Sequence, residues 1–318
     1  MIVNRVSAKE YSDIIHDAGV VYNLAQFNEL NKSKVDDVEY LIVSKGNSPR
    51  FAVCLGVADN SAYCPFSAPF ALPIELKKTS SKPFASIKNC VDTINAIDKY
   101  CTQKSYNSLQ YILPPIFYSE HIISAWINAL YNSGYIIENI DINYSLELNS
   151  EFVKKYPYLI PHNARNTLKK SLNQNLELTR CSTINEVERA YAVISENKRA
   201  KGYPLRMSYN QVCDTINVVP HDVFLVQKDS EDIASAIVYH VTENIVQIIY
   251  WGDRPGFSDL RPMNYLAYQL IQHYSNNDIK YIDIGPSTEN SIPNYGLCDF
   301  KESIGCKRSL KFTMKKML

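Results

Sequence analysis

An α+β fold on a mixed sheet, built twice over, is what this sequence predicts. The chain has 318 residues, about twice the usual length of a single domain. The order of elements in its first half returns in its second: paired helices, an antiparallel meander, a helix, a strand, a helix, a strand. A helix over 262–276 sets Met263, Leu266, Ala267, Leu270, Ile271 and Tyr274 on one face, the spacing of a helix docked on a sheet. The expected domains are 1–150 and 151–318. They are joined through NSEFVKKYPYLIPH (149–162), whose two prolines and lack of periodicity read as a linker.

In the first half, IVNRV (2–6) reads as a strand and 9–17 and 22–32 as helices. Strands follow at 40–44, 50–58 and 61–66, then a helix over 85–101, a strand at 109–114, a helix over 119–134 and two closing strands within 135–148. In the second half, helices are expected over 163–174, 184–201, 208–217 and 262–276. Strands are expected at 176–179, 222–228, 233–242, 245–252 and 279–284, with a short helix at 297–304 and a last strand near 308–314.

Lys+Arg and Asp+Glu stand at 33 each, so the chain lacks the overall basic bias of proteins bound to nucleic acid or to anionic membranes, and any such binding would need a local patch; DNA is not an expected partner. The eight cysteines (54, 64, 90, 101, 181, 213, 298 and 306) form no CxxC pair, and the six histidines (16, 121, 162, 221, 240 and 273) form no HxH or HExxH. No metal site is expected, and the thiols read as reduced and mostly buried, as in a cytoplasmic protein. The first residues lack the apolar run of a signal peptide, and nowhere do about 18 apolar residues follow one another, so no transmembrane segment is expected.

The segment YIDIGPSTENSIPNYGLCDFKESIGCK (281–307) reads as a strand that stops at Gly285-Pro286, a polar loop and a helix. Acyl transfer to an amine needs a proton acceptor, a partner for the oxyanion and a proton for the leaving group. Asp283, Tyr295 and Lys301 offer a carboxylate, a phenol and a cation around one strand end. Lys301 is expected at the mouth of the groove with an exposed side chain.

The helix over 163–174 sets Arg165 and Lys169 four residues apart with Lys170 beside them. From Lys154 to Arg180 six basic residues face one acid, Glu177. This is the patch expected to meet the phosphates of a nucleotide-linked or lipid-linked acceptor. ENKRAKGYPLRMS (196–208) carries Lys198, Arg199, Lys201 and Arg206 around a Gly-Tyr-Pro turn and reads as a basic connector or a specificity loop.

The element order, duplicated in one chain, resembles the GNAT (Gcn5-related N-acyltransferase) fold in the tandem form of Fem-type aminoacyltransferases. ARNTLKKSLNQNLEL (164–178), RPMNYLAYQLIQHYSNNDIKYIDIGPSTE (261–289) and NYGLCDFKESIG (294–305) carry the resemblance in the second half, and CPFSAPFALP (64–73) is similar to a Pro- and Phe-rich loop of such relatives. The resemblance implies an N-acyltransferase whose second domain holds the active groove. It implies an amine acceptor, such as a cell-envelope or polysaccharide precursor, and an acyl-CoA or aminoacyl-tRNA donor.

Lys301 then falls at the lysine that faces the acyl donor, and Asp283 at the Asp-x-Gly strand ending. The coenzyme A turn of the family, Gln/Arg-x-x-Gly-x-Gly/Ala at a helix N-terminus, falls on Arg261 to Leu266. Arg261 fits, with Asn264 and Leu266 in place of the glycine and the small residue, which counts against coenzyme A. The neutral charge and the lack of a long helical insertion count against tRNA. The acceptor side falls to Arg165, Lys169 and Arg206. The alternative is a GNAT-fold binding or assembly protein without catalysis.

Overall fold

The computed structural model describes residues 1–15, 18–76 and 83–318; His16 and the end of the helix expected over 9–17 lie outside them. The chain forms two compact units. The first is Met1–Ile142 with Thr288–Ile292 and Ser309–Leu318, and the second is Asn143–Ser287 with Pro293–Arg308.

The first unit runs β1 (Ile2–Val6), α1 (Ala8–Ile14), α2 (Ala25–Asn31), β2 (Asp37–Lys45), β3 (Ser48–Ala58), β4 (Ser61–Cys64), β5 (Ile74–Glu75), α3 (Pro83–Gln103), β6 (Ser108–Ile112), α4 (Glu120–Asn132) and the start of β7 (Ile136–Glu147). A capping box opens α1: Ser7 Oγ accepts from the Glu10 amide at 3.2 Å, and Glu10 accepts from the Ser7 amide at 2.8 Å. Strands β1 to β4 form an antiparallel meander, and β4 then lies parallel to β6, a crossover made through α3. The segment Ser309–Leu318 returns to pair with β6, Met314 against Tyr111. Alternation sets the layers. Leu41, Val43, Phe51 and Val53 face Ile94, Ile97, Trp126 and Leu130 of α3 and α4, while Tyr40, Ile42, Ala52 and Cys54 face Tyr11 and Ala25 of α1 and α2.

The 135–148 region is one strand, not the two expected. Its polar residues Asn139, Asp141 and Asn143 alternate with Ile140, Ile142 and Tyr144 at a strand's period, and they find partners. Asp141 accepts from the Thr288 hydroxyl at 2.6 Å and the Ser291 amide at 3.1 Å. Nor is 149–162 a featureless linker, since Ser150–Leu159 forms α5 around an internal proline, Pro157. That proline removes one helical N–H. The helix survives because Asn149 caps the Phe152 amide at 2.8 Å and buried Tyr156 donates to the Ile304 carbonyl at 3.1 Å.

The chain continues with α6 (His162–Leu172), β8 (Glu177–Arg180), α7 (Ile184–Lys201), α8 (Tyr209–Ile216), β9 (His221–Lys228), β10 (Glu231–Thr242), β11 (Ile245–Asp253), α9 (Pro262–Ser275), β12 (Tyr281–Pro286), the β13 (Thr288–Glu289) and β14 (Ile292–Pro293) bridge, α10 (Tyr295–Ser303) and β15 (Lys307–Met317); of these, Thr288–Ile292 and the residues from Ser309 onward belong to the first unit and the rest to the second. Capping boxes open α7 at Thr183/Glu186 and α8 at Ser208/Gln211. The plan of the first unit returns. Strands β8 to β11 are an antiparallel meander, β11 lies parallel to β12, and the crossover helix is α9, whose Leu266, Leu270, Ile271 and Tyr274 are buried. Beside β12 lies the end of β7, antiparallel. Each unit therefore takes a closing strand from the other half of the sequence.

At one end of this meander Asp222 is buried, accepting from His240 Nε2 at 2.7 Å and the Tyr274 hydroxyl at 2.9 Å, with the Arg180 guanidinium on its other oxygen. Burial alone would raise this carboxyl, but the hydrogen bonds from His240 and Tyr274 and the charges of His240 and Arg180 bring it down to about 2. The folded state thus holds its proton less tightly than the unfolded chain. The resulting stability, at most about 2 kcal/mol, is complete above pH ~4 and is lost as the pH falls through ~2. In acid titrations followed by circular dichroism, Asp222→Asn is expected to remove that increment at neutral pH and flatten the acid limb.

Candidate functional site: a forked strand pair around Asp283 and Lys301

Strands β11 and β12 pair over three positions only, Ile245 with Tyr281, Val246 with Ile282 and Gln247 with Asp283. Beyond that point β11 continues along β10 to Asp253, and β12 continues along β7 to Pro286. The two strands part. Beyond the Gln247–Asp283 pair no strand pairing joins the two edges that face each other, among the described residues.

The fork is pinned by one carboxylate. Asp283 is fully buried (0% exposed); one oxygen accepts from Asn143 Nδ2 at 2.7 Å and the Gly285 amide at 2.9 Å, the other from Gln247 Nε2 at 2.7 Å. It thereby ties together β7, β11 and β12. The bond to the Gly285 amide requires the chain to turn back on itself, and Gly285 takes a φ of +72° while the register against β7 slips. A Cβ there would meet no atom within 4 Å, so backbone conformation alone demands the glycine. Gly285→Ala is expected to cost about 1–2 kcal/mol by this strain, read as a lower denaturation midpoint with an unchanged denaturant slope.

Past the turn, Lys301 of α10 closes the strand end. Its Nζ donates to the carbonyls of Ile284, Gly285 and Pro286 at 3.0, 2.8 and 2.9 Å and lies 5.4 Å from the centre of the Tyr144 ring. Lys301 is 2% exposed, which corrects the expectation of an exposed side chain at the groove mouth. Helix α10 can deliver it there because Asn294 caps the Leu297 amide at 3.1 Å while its own amide donates to the Ser287 carbonyl at 2.9 Å, locking helix start to strand end. Burial pulls the ammonium down to about 8, an effect that the charge of Lys198 adds to and that Asp283 and the nearby thiols Cys306 and Cys298 oppose. Ser287, next along the chain, is buried with a hydroxyl that has no partner among the described residues.

Lys198, the second cation of this region, reads in the sequence as one of four basic residues of the 196–208 connector or specificity loop. It is half-buried on α7, its Nζ is 5.6 Å from the centre of the Tyr203 ring, and burial, then Lys201, lowers its pKa. Among the described residues it has no carboxylate partner. Tyr203 accepts a hydrogen bond from Asn294 Nδ2 at 2.9 Å, so the 202–208 connector is fastened to the start of α10.

The other expected site residues are not gathered around this centre. Tyr295 begins α10 and is 75% exposed, unlike buried Asp283 and Lys301. Arg261 is exposed and caps α9 with φ +59°, its carbonyl accepting from the Asn264 and Tyr265 amides at 3.1 and 3.3 Å. Asn264 is half-buried, and Leu266 is directed into the core. Arg165 is occupied on Tyr158, Lys169 is exposed on α6, and Arg206 is exposed in the connector. Among the described residues no group of three or more His, Cys, Asp or Glu side chains could hold a metal ion, the eight cysteines are unpaired, and no helix is long and apolar enough to cross a membrane.

The first unit has a parallel pair too, but it does not open in this way. After β4 the chain stays beside β6, the Ala71 amide donating to the Ile112 carbonyl at 3.0 Å. Phe66 packs so tightly on Gly56 that a Cβ there would lie 2.3 Å from its ring, and Phe70 sits in edge contact with Tyr22 and Tyr118.

Two units of one plan, the second with a forked parallel pair, constitute the tandem GNAT-like fold of Fem type. Among solved structures the chain is similar to FemX, with a TM-score of 0.70 and 11% identity over 100% of this chain and 98% of that one. It is similar to the C-terminal domain of a putative lysylphosphatidylglycerol synthetase from Agrobacterium fabrum (TM-score 0.61, 11% identity, 97% of this chain and 92% of that one). It also resembles a tandem GNAT protein from the clavulanic acid biosynthesis pathway (TM-score 0.51, 9% identity, 99% and 98%). No protein-family model matches the sequence, and no curated protein matches it.

Proposed function

We propose that the protein is an N-acyltransferase whose second unit carries out transfer of an acyl or aminoacyl group to an amine. The observation that carries this reading is the fork between β11 and β12. It separates two strand edges, with a buried carboxylate at its apex and a buried cation behind the β12 wall. The acyl donor lies in the opening between β11 and β12, where the two strands part. Lys301 has all three N–H bonds committed to β12, so it acts through its charge and by holding that wall in place, not as a direct donor. Lys198, half-buried and without a carboxylate partner among the described residues, faces the anionic part of a donor or acceptor.

The turn at 261–266 gives the donor a direction. With Pro262 lacking an N–H and Asn264 in place of glycine, it is poorly suited to a pyrophosphate, which favours an aminoacyl ester over acyl-CoA. The similarity in fold to a protein named as a lysylphosphatidylglycerol synthetase supports the same choice. The same departure favours a second reading, a binding protein that has lost catalysis. Purified protein would be offered radiolabelled acetyl-CoA or a mixture of aminoacyl-tRNAs, each with amine-bearing acceptors that include an envelope precursor. Label is expected to move from aminoacyl-tRNA to an acceptor amine. Transfer from acetyl-CoA alone would overturn the choice of donor. Tight binding of donor or acceptor without turnover would establish the second reading.

A further inference from the structure

Helices α5 and α6 bury one face and leave the other both basic and apolar. Tyr156, Ile160, Ala164 and Leu168 go into the core. On the outer side Lys154 and Lys155 stand one turn before Tyr158 and Leu159, which are 75% and 55% exposed. The Arg165 guanidinium lies 5.6 Å from the centre of the Tyr158 ring and donates to the Tyr158 carbonyl at 3.2 Å. That contact joins the face to α6, where Arg165, Lys169 and exposed Leu172 follow one another at helical spacing. The only acid of α5 and α6, Glu151, is taken up by Lys155 at 2.8 Å.

We propose that this face docks on an anionic lipid surface, with Tyr158 and Leu159 entering the headgroup layer and Lys154 and Lys169 lying over the lipid phosphates. Charge complementarity selects the partner: the face is positive in a chain with no net charge. The exposed leucine and tyrosine at the corner decide the class. A bilayer interface accepts apolar side chains beneath a layer of phosphates, whereas an RNA backbone offers phosphates and no place for a leucine. Lysine stems suit the same boundary, since their methylenes lie along apolar surface while the ammonium stays outside. The docking does not depend on the transfer reaction.

The full-length protein would be floated with phosphatidylcholine vesicles with and without phosphatidylglycerol, at low and high salt. Binding is expected only with phosphatidylglycerol, and weaker in salt. Lys154→Gln and Lys169→Gln should each lower partitioning roughly fivefold, and the pair Tyr158→Ser, Leu159→Ser roughly tenfold or more. All these side chains are exposed, so the thermal midpoint should not move. Equal binding to both vesicles, no binding, or binding that the variants leave unchanged would overturn the proposal. So would tRNA binding lost in the lysine variants without vesicle binding, which would mark an RNA surface. A dimer that dissociates in the Tyr158/Leu159 variant without vesicle binding would overturn it in favour of a contact between copies.

Discussion

Lys301→Met is expected to lower both activity and stability. Methionine matches the length of the lysine stem but donates nothing, so the carbonyls of Ile284, Gly285 and Pro286 lose their donor inside the protein. Breaking charged hydrogen bonds and leaving buried acceptors unpaired costs about 3 kcal/mol or more even after the burial penalty of the ammonium is relieved. Urea unfolding at neutral pH measures this as a drop in midpoint at constant slope. Transfer should fall by roughly 10²–10³. A pH signature separates Lys301 from a general loss of packing. The folded state releases this proton near pH 8, while the unfolded chain keeps it to about 10.5. Between those values the unfolded state binds more protons, so this group makes stability rise with pH. That rise should be present in the parent and absent in Lys301→Met; an unchanged profile would show that the lysine is not buried as described.

Asp283→Ala is the more severe change to the fold. It removes the acceptor shared by Asn143 Nδ2, Gln247 Nε2 and the Gly285 amide, and each buried donor left unpaired costs about 1–3 kcal/mol. A loss of about 3–6 kcal/mol is comparable with the whole stability of many domains. The protein is expected to be insoluble or partly unfolded at 37 °C, with hydrogen exchange accelerated first in β12 and the end of β7. Asp283→Asn should be milder. Its carbonyl oxygen still serves Asn143 and Gly285, and Gln247 can present its own oxygen to the new amide. A variant with alanine here that unfolds at the parent midpoint would contradict the role of this carboxylate at the fork.

Much of the fold was legible because period and punctuation agree. The helix of buried Leu266, Leu270 and Ile271, the meanders, and the strand ending at Gly285-Pro286 all follow from local pattern. Asp283 was legible as a candidate because it stands where a strand ends at Gly285-Pro286, at the Asp-x-Gly ending that the resemblance implies. Its partners were not, since Asn143 lies 140 residues away and its neighbours in β7 read as a break between two strands. The depth of Lys301 was equally hidden. A lysine between Phe300 and Glu302 in a short helix reads as solvated, and only the three carbonyls of another element reveal otherwise. Helix α5 escaped because Pro157 outweighs its neighbours in any local reading, while the compensating bond runs from Tyr156 to Ile304, 148 residues on.

The strand that closes the first unit belongs to the end of the sequence, and this sets a timetable for synthesis. When β6 has been made, the edge it offers to Ser309–Leu318 has nothing to pair with, and the cleft that Met314 will fill is open. At ordinary elongation speeds of about 5–20 residues per second, that edge waits roughly 10–40 s for its partner. An unpaired strand edge over an exposed apolar core is a template for association with other chains. The first unit is therefore completed only after the residues of the second have been made, and during that interval the nascent chain depends on whatever in the cell shields it.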